Sequence, residues 1–156
     1  MYKELPTMTM DINGVNELID PNSDLTVVES DLVQEFSEQP SKFAFYGGLH
    51  SDSLITLERL KSILQQYEAE HEIEMRNRIF NRYGPSERVT EAKLQAEFAR
   101  DPDWQKANAT LIEWKQTVGR LEVLKEAFKQ RAQMLWNIGA TRRQEMVRLN
   151  TESEEQ

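Results

Sequence analysis

The residues of this sequence best suited to chemistry are four arginines that lie within thirteen positions of one another. They are Arg76, Arg78, Arg82 and Arg88, with the aromatic residues Phe80 and Tyr83 between them. Glu87 is the only acidic residue in this stretch, which has a net charge of +3. Guanidinium groups bind phosphate oxygens in pairs, and aromatic rings offer a face on which bases stack. The cluster therefore indicates nucleic-acid binding, and the alternative is a set of ordinary exposed helix residues.

A second group of basic residues lies toward the C-terminal end. It consists of Arg120, Lys125, Lys129 and Arg131, followed by Arg142, Arg143 and Arg148. Seven basic and three acidic residues fall between positions 117 and 148. From this charge pattern we take Lys129 and Arg131 as further candidates for contacts with DNA phosphates. The alternative is that some of these residues pair with nearby acids such as Glu122 and Glu126.

Patterns for catalysis or metal binding are weak. The chain has no cysteine and two histidines, His50 and His71, and it contains neither a Walker phosphate loop nor a dinucleotide-binding fingerprint. His71 lies among glutamates, which leaves a His–Glu metal site open, although a polar residue on a helix seam is the commoner arrangement. We therefore expect no enzymatic activity, no cofactor and no metal.

The acidity of the chain comes from its two ends. The 156 residues carry a net charge of −8, but residues 1–50 account for −7 and residues 51–150 for +2. Overall acidity opposes nucleic-acid binding, although a ring of subunits would concentrate basic faces inside it. The sequence has no apolar run of about 18 residues and no segment typical of a secretion signal. We therefore expect no membrane association and a cytoplasmic location.

Composition divides the chain into three regions. Residues 1–40 are acidic and punctuated by proline and glycine, so we interpret them as an acidic arm. The arm is either a flexible tail, or a segment that docks on a partner or competes with nucleic acid for a basic groove. Residues 41–150 are predicted to form the helical domain for oligomerisation and DNA binding, with an aromatic patch at 42–49 packed on its first helix. Residues 151–156 form an acidic tail.

Turn and cap signals define the helices that would position the arginines. We predict helices over residues 53–82, 91–100 and 102–139. Gly84 and Pro85 end the first, because glycine permits a left-handed cap and proline cannot continue a helix. Thr90 is the expected N-cap of the second, and Asp101-Pro102 begins the third.

Apolar residues recur at alternating steps of three and four in both long segments. This seam consists of Leu57, Leu60, Leu64 and Tyr67 in the first segment and Trp104, Leu111, Trp114, Val118, Leu121, Phe128 and Leu135 in the second. The pattern predicts an all-α fold, a long antiparallel helical hairpin with a short connecting helix. A hairpin alone cannot bury three tryptophans well, so we expect it to assemble into a homo-oligomer.

Four short motifs between residues 42 and 138 resemble those of one known family. They are Phe43-Ala44-Phe45-Tyr46, then Arg76-Asn77-Arg78-Ile79-Phe80 before Gly84, then Val89-Thr90-Glu91-Ala92 before Asp101-Pro102, and Lys125-Glu126-Ala127-Phe128-Lys129-Gln130-Arg131 before Leu135. The first looks like the aromatic segment that precedes the family's first long helix, and the second like its basic Lys-x-Arg-Leu stretch that ends in a Gly turn. The third looks like its Val-Thr-Glu-Ala and Asp-Pro turn signals, and the fourth like the end of its long last helix. In this order and spacing they resemble the phage recombination mediators of the UvsY type.

The resemblance implies a small helical protein that assembles into a ring, binds single-stranded DNA and serves DNA recombination and repair. Such mediators help load a recombinase onto DNA already coated by a single-strand-binding protein, so these two proteins are the implied partners. If a phage encodes the protein, the expected cytoplasmic location is that of the host cell. Arg76 and Arg78 match the family's DNA-contacting basic pair, and Arg76 stands where lysine is commoner. The long acidic arm and the acidic tail depart from the family pattern, which implies that the arm displaces or gates DNA.

Two other functions fit the same residues. A helical structural, scaffold or adaptor protein of a phage would use the seam for assembly and the basic clusters for ion pairs between subunits. A small inhibitor of a host protein would use the acidic arm as a mimic. Charge changes at Arg76 and Arg78 distinguish the scaffold from a DNA-binding protein, and removal of residues 1–40 tests the inhibitor.

Overall fold

The computed structural model describes residues 7–12, 15–84, 86 and 88–154. In chain order its elements are the strands β1 (Met8–Ile12) and β2 (Val15–Ile19), the helix α1 (Pro21–Leu25), a 3₁₀ turn (Glu29–Asp31), and the helices α2 (Leu32–Tyr83), α3 (Glu91–Phe98) and α4 (Pro102–Glu154). Two long helices separated by a short one confirm the expected all-α class. The chain divides into a terminal unit (Met1–Leu49 with Leu121–Gln156) and a central unit (His50–Arg120), and α2 and α4 contribute residues to both.

In the central unit the residues of the predicted seam pack between α2 and α4. Four of them are buried together, namely Leu57, Leu64, Leu111 and Val118, and the partly buried Leu60, Trp104, Ala107 and Trp114 pack against them. The Tyr67 hydroxyl donates a 2.8 Å hydrogen bond to Asp101, and the Trp104 indole donates one of 2.8 Å to Glu68. These bonds place the later part of α2 beside the start of α4, as an antiparallel pair requires.

The short helix α3 covers a second apolar cluster of the central unit. Its buried members are Met75 and Ile79 from α2 and Leu94 and Phe98 from α3. The Thr90 hydroxyl accepts the backbone N–H of Lys93 at 3.4 Å, which confirms the predicted N-cap. Val89 packs against the cluster that contains Leu94, as a hydrophobic staple would.

In the terminal unit a small antiparallel hairpin packs on the helices. Its buried side chains are Met8, Met10 and Ile19, and they cluster with Tyr46, Leu49, Leu121, Leu124 and Phe128. Met8 pairs with Ile19 across the two strands, and Met10 shares its face because side chains alternate along a strand. The rings of Tyr46 and Phe128 stack at 4.3 Å, and the Tyr46 hydroxyl donates a 2.9 Å bond to Asp24. Leu135 is also fully buried.

The predicted start of the first long helix is wrong. Helix α2 begins at Leu32, not near residue 53, so the boundary drawn between residues 40 and 41 falls inside it and the aromatic patch at 42–49 is helical. Pro40 lies within the helix and contributes no N–H to it. The neighbouring Gln39 donates a 2.7 Å bond to the Phe128 carbonyl, so contacts with α4 support this stretch. Residues 1–6, 13 and 14 of the predicted arm lie outside the described residues.

The predicted end of the last helix is also wrong. Helix α4 continues past Gly139 to Glu154 and so includes the start of the predicted acidic tail, whose residues 155 and 156 lie outside the described part. Gly139 lies within the helix and allows the Phe36 ring to approach its backbone closely. A Cβ at this position would lie 3.1 Å from the Cζ of Phe36, nearer than about nine in ten such contacts.

Arg131 is buried inside the terminal unit, which corrects its assignment to a DNA-binding surface. Its guanidinium pairs with the Glu35 carboxylate, donates to the Gln39 side-chain oxygen, and reaches the Thr26 carbonyl at 3.2 Å. The Glu35 carboxylate also accepts the backbone N–H of Val28 at 2.8 Å. That N–H first, and then Arg131, hold the pKa of Glu35 below its ordinary value despite desolvation. Sequence charge alone did not distinguish this buried arginine from an exposed one.

We predict that Arg131→Met lowers the free energy of unfolding by about 3–5 kcal/mol, because Glu35 would remain as a buried and unpaired charge. Urea denaturation measures the change. The double variant Glu35→Met/Arg131→Met should recover much of it, since no buried charge is left. Arg120→Met, at an exposed position, is the control and should shift stability by less than about 0.5 kcal/mol. Equal losses for Arg131→Met and the double variant would contradict the assigned role of the pair.

Candidate nucleic-acid interface

The last turns of α2 position three of the candidate arginines. Gly84 has a φ of 97° and donates its N–H to the Phe80 carbonyl at 2.8 Å, a left-handed cap that ends the helix as predicted. Pro85, the other part of that signal, lies outside the described residues. Successive helix residues are about 100° apart around the axis, so Arg78 and Arg82 share one side and Arg76 lies on nearly the opposite side. The basic pair Arg76 and Arg78 is thus divided between two sides of α2.

Arg76 is held by an exposed partner. Its Nη2 and Nε atoms lie 2.6 Å and 2.8 Å from the same Glu72 oxygen, one turn earlier. Both side chains are more than two-fifths exposed, so water screens the pair and weakens it. Phe80, one turn later, is 37% exposed. This side of α2 therefore presents a loosely held guanidinium and an aromatic ring.

Arg78 bridges an exposed carboxylate and a buried one. Its guanidinium lies 2.7 Å from Glu74 and 3.3 Å from Asp101. The buried Asp101 also caps α4, since its Oδ1 accepts the backbone N–H groups of Asp103 and Trp104 at 3.1 Å and 3.2 Å. The Tyr67 hydroxyl, then those N–H groups and Arg78, hold the pKa of Asp101 below its ordinary value.

Arg82 shares a carboxylate partner with Arg100, which is not among the candidates chosen from the sequence. Arg82 and Arg100 each place Nη1 2.8 Å from the same oxygen, Oε2 of Glu97. The Glu97 carboxylate is buried, whereas both guanidiniums are about half exposed. Arg100, which has the larger effect, and Arg82 also lower the pKa of the Tyr83 hydroxyl. Arg100 is twelve residues beyond Arg88 in sequence and joins the others only because α3 brings it back to the end of α2.

The remaining candidates are placed differently. Arg88 is exposed and has no ion-pair partner within the described residues. Lys129 belongs to the terminal unit, where it is largely exposed and lies 3.5 Å from Glu126. We give the name "arginine surface" to the exposed arginines around the end of α2 in the central unit, with Arg76 on one side of the helix and Arg78 and Arg82 on the other. Its members are Arg76, Arg78, Arg82, Arg88 and Arg100.

His71 contacts Tyr67, one turn earlier in α2. Its Nδ1 lies 2.9 Å from the Tyr67 carbonyl, and its ring stacks on that of Tyr67 at 4.1 Å. Within the described ranges no group of three or more His, Cys, Asp or Glu side chains is arranged to hold a metal ion.

In the same part of the chain, no helix combines the length and apolar character needed to cross a membrane.

Fold and surface together define a class: a small helical protein with two long helices, a short connecting helix and exposed arginines where the first long helix ends. The crystal structure of the bacteriophage T4 recombination mediator protein UvsY is similar to this chain, with a TM-score of 0.61 and 17% sequence identity over 80% of this chain and 92% of that chain. A likeness at this identity shows that the fold is UvsY-like. No protein-family model and no curated protein sequence matches the chain.

We predict that Asp101→Asn destabilises the protein by roughly 1–3 kcal/mol at neutral pH, because the bonds from Tyr67 and Arg78 lose their charged acceptor while the cap is kept. The folded-state pKa of Asp101 is below its ordinary value of 3.8, so its contribution is complete above that value. The stability gap between wild type and variant should therefore shrink as pH falls below about 4.

Urea denaturation from pH 7 to pH 2 measures this gap. The exposed neighbour offers a control in Asp103→Asn, which should stay close to wild type at neutral pH. A gap for Asp101→Asn that stays constant down to the lowest pH would rule out a charged Asp101 as the source.

Proposed function

We propose that this protein is a non-enzymatic mediator of phage DNA recombination that binds single-stranded DNA without sequence preference. The observation that carries the proposal is the concentration of exposed guanidinium groups on the arginine surface. The likeness of the fold to a protein described as a recombination mediator supports it.

Phosphate-directed binding follows from the residue types. Arginine forks match phosphate oxygens, and the exposed aromatic rings of Phe80 and Tyr83 lie among them in sequence. Neither feature reads base identity, so affinity should depend on salt and very little on sequence. Loading of a recombinase onto DNA coated by a single-strand-binding protein belongs to the same proposal and rests on the resemblance of the motifs.

Self-association is the second part of the proposal. Large apolar side chains remain exposed along the last part of α4, notably Trp136 at 62% and Val147 at 66%. Soluble monomers rarely leave such residues grouped on one element, because they would bury apolar area on contact. We infer a homo-oligomer in which these residues are covered by further copies of the chain.

A phage scaffold or adaptor protein without DNA binding is the second candidate. One observation favours it: Arg76, Arg78 and Arg82 are already paired with carboxylates of their own chain. In that case the arginines would stabilise the helices and their junctions, and replacing them would alter stability or assembly.

The first test is fluorescence anisotropy of a labelled oligo-dT across a salt series. We predict binding at low salt whose log affinity falls linearly with log salt. The variant Arg76→Gln/Arg78→Gln should weaken binding about ten-fold for each arginine and reduce the salt slope by about 0.7 for each lost contact.

Arg59→Gln is the matched control, since Arg59 is exposed on α2 about 25 Å along the helix from Arg76. Its affinity and slope should stay near those of the wild type. If the wild type shows no binding even at low salt, or if only assembly changes in the double variant, the scaffold function takes the place of DNA binding.

Sedimentation velocity tests the oligomer. The variant Trp136→Glu/Val147→Glu should shift the population toward the monomer, because charged groups would have to be buried at the contact. Ile63→Glu/Ile73→Glu is the matched control, with two comparably exposed apolar residues of α2. A wild-type protein that sediments as a monomer at all concentrations would exclude the proposed assembly.

A further inference from the structure

One buried carboxylate of the central unit holds two arginines. Glu97 is 3% exposed, and its Oε2 atom lies 2.8 Å from Nη1 of both Arg82 and Arg100. Since both nitrogens contact the same oxygen, they lie no farther apart than twice that distance. The arrangement fixes two guanidinium groups side by side at the junction of α2 and α3.

This junction retains a positive charge and unused donors. Burial of Glu97 requires a cationic partner, and one arginine would neutralise it. The second arginine leaves the group with a net charge of about +1. Each guanidinium has five N–H donors, of which Glu97 occupies one, and the Arg82 and Arg100 side chains are 45% and 53% exposed. Donors and charge are thus available to a ligand from solvent.

We propose that Arg82 and Arg100, fixed by Glu97, form a seat for a phosphate group of single-stranded nucleic acid. The inference rests on the proposed function and adds Arg100, which neither the charge pattern nor the resemblance selected. Two adjacent guanidiniums can each offer parallel N–H donors to one phosphate, the geometry in which arginine binds phosphate most strongly. Because Glu97 already orders both side chains, little conformational entropy is lost when the phosphate binds.

Tyr83 extends the seat toward a base. Tyr83 follows Arg82 directly in the chain, and its side chain is 52% exposed. Arg100 first, and then Arg82, lower the pKa of its hydroxyl, which agrees with a phenol ring beside the pair. A strand whose phosphate occupies the seat would place a neighbouring base within reach of this ring. Stacking on it adds affinity for any of the four bases, since every base has an aromatic face.

The test compares Arg100→Gln with Arg59→Gln in the oligo-dT salt series. In Arg100→Gln the buried Glu97 keeps Arg82 as its partner, so the variant should fold, and thermal unfolding followed by circular dichroism checks this. We expect about ten-fold weaker binding and a salt slope smaller by about 0.7, with no change for Arg59→Gln. Arg100→Lys should restore the slope but not the full affinity, because lysine keeps the charge without the paired donors.

Two failures are distinguishable. If the wild type binds oligo-dT and Arg100→Gln binds equally well with the same slope, the seat is wrong and the proposed function stands. If the wild type does not bind at all, both are overturned. A 5′-phosphorylated and a 5′-hydroxyl oligo-dT identify the source of the phosphate: equal affinities assign an internucleotide phosphate, and a gain that Arg100→Gln abolishes assigns a terminal one.

Discussion

Buried carboxylates that must keep a cationic partner determine where four of the arginines lie. Glu35 holds Arg131 inside the terminal unit, and in the central unit Glu97 holds Arg82 and Arg100 while Asp101 holds Arg78. Desolvation of a carboxylate costs several kcal/mol unless a partner compensates, so none of these contacts can be exchanged freely. The outcomes differ: Arg131 is buried together with Glu35, whereas Glu97 carries two arginines that are about half exposed and leave a charged surface.

Features encoded by neighbouring residues were predictable from the sequence. The apolar seam follows from a repeating pattern along each helix, and the Gly84 stop, the Thr90 cap and the Asp101-Pro102 start follow from contacts within a few residues. The structure contains each of them. The start of α2 was not predictable in this way. Pro40 and the two consecutive glycines at 47 and 48 are unfavourable in an isolated helix. Contacts with distant residues support this part of α2, such as the Gln39 bond to Phe128, 89 residues away in the chain. The hairpin of β1 and β2 has five-residue strands whose buried face becomes apparent only when Tyr46 and Phe128 cover it.

For the candidate site, sequence proximity and spatial proximity differ. Arg76 and Arg78 are two residues apart and lie on nearly opposite sides of α2, whereas Arg82 and Arg100 are eighteen apart and share one oxygen. A charge count along the chain favours the first pair and misses the second. The only sequence signal for Arg100 was Glu97 one turn earlier on a short helix, a spacing that also describes ordinary surface pairs. Burial of Glu97, which makes this pair different, depends on the packing of Phe98 and Leu94 against α2.

Whether a phosphate can reach an arginine of this acidic chain depends on how exposed the carboxylate paired with that arginine is. Glu72 and Glu74 are 44% and 56% exposed, so a phosphate can displace them from Arg76 and Arg78 at small cost, because screened surface pairs contribute less than about 1 kcal/mol. The buried Glu97 cannot be displaced in this way. It does not need to be, because its two arginines together keep a positive charge and free N–H donors while they contact it. DNA binding as proposed would therefore replace Glu72 at Arg76 and Glu74 at Arg78, with Asp101 kept on Arg78, and would add phosphate directly at Arg82 and Arg100. The net charge of −8 does not by itself oppose this, because charges farther than about 8 Å from the phosphate are largely screened at physiological salt, and residues 51–150 carry a net charge of +2.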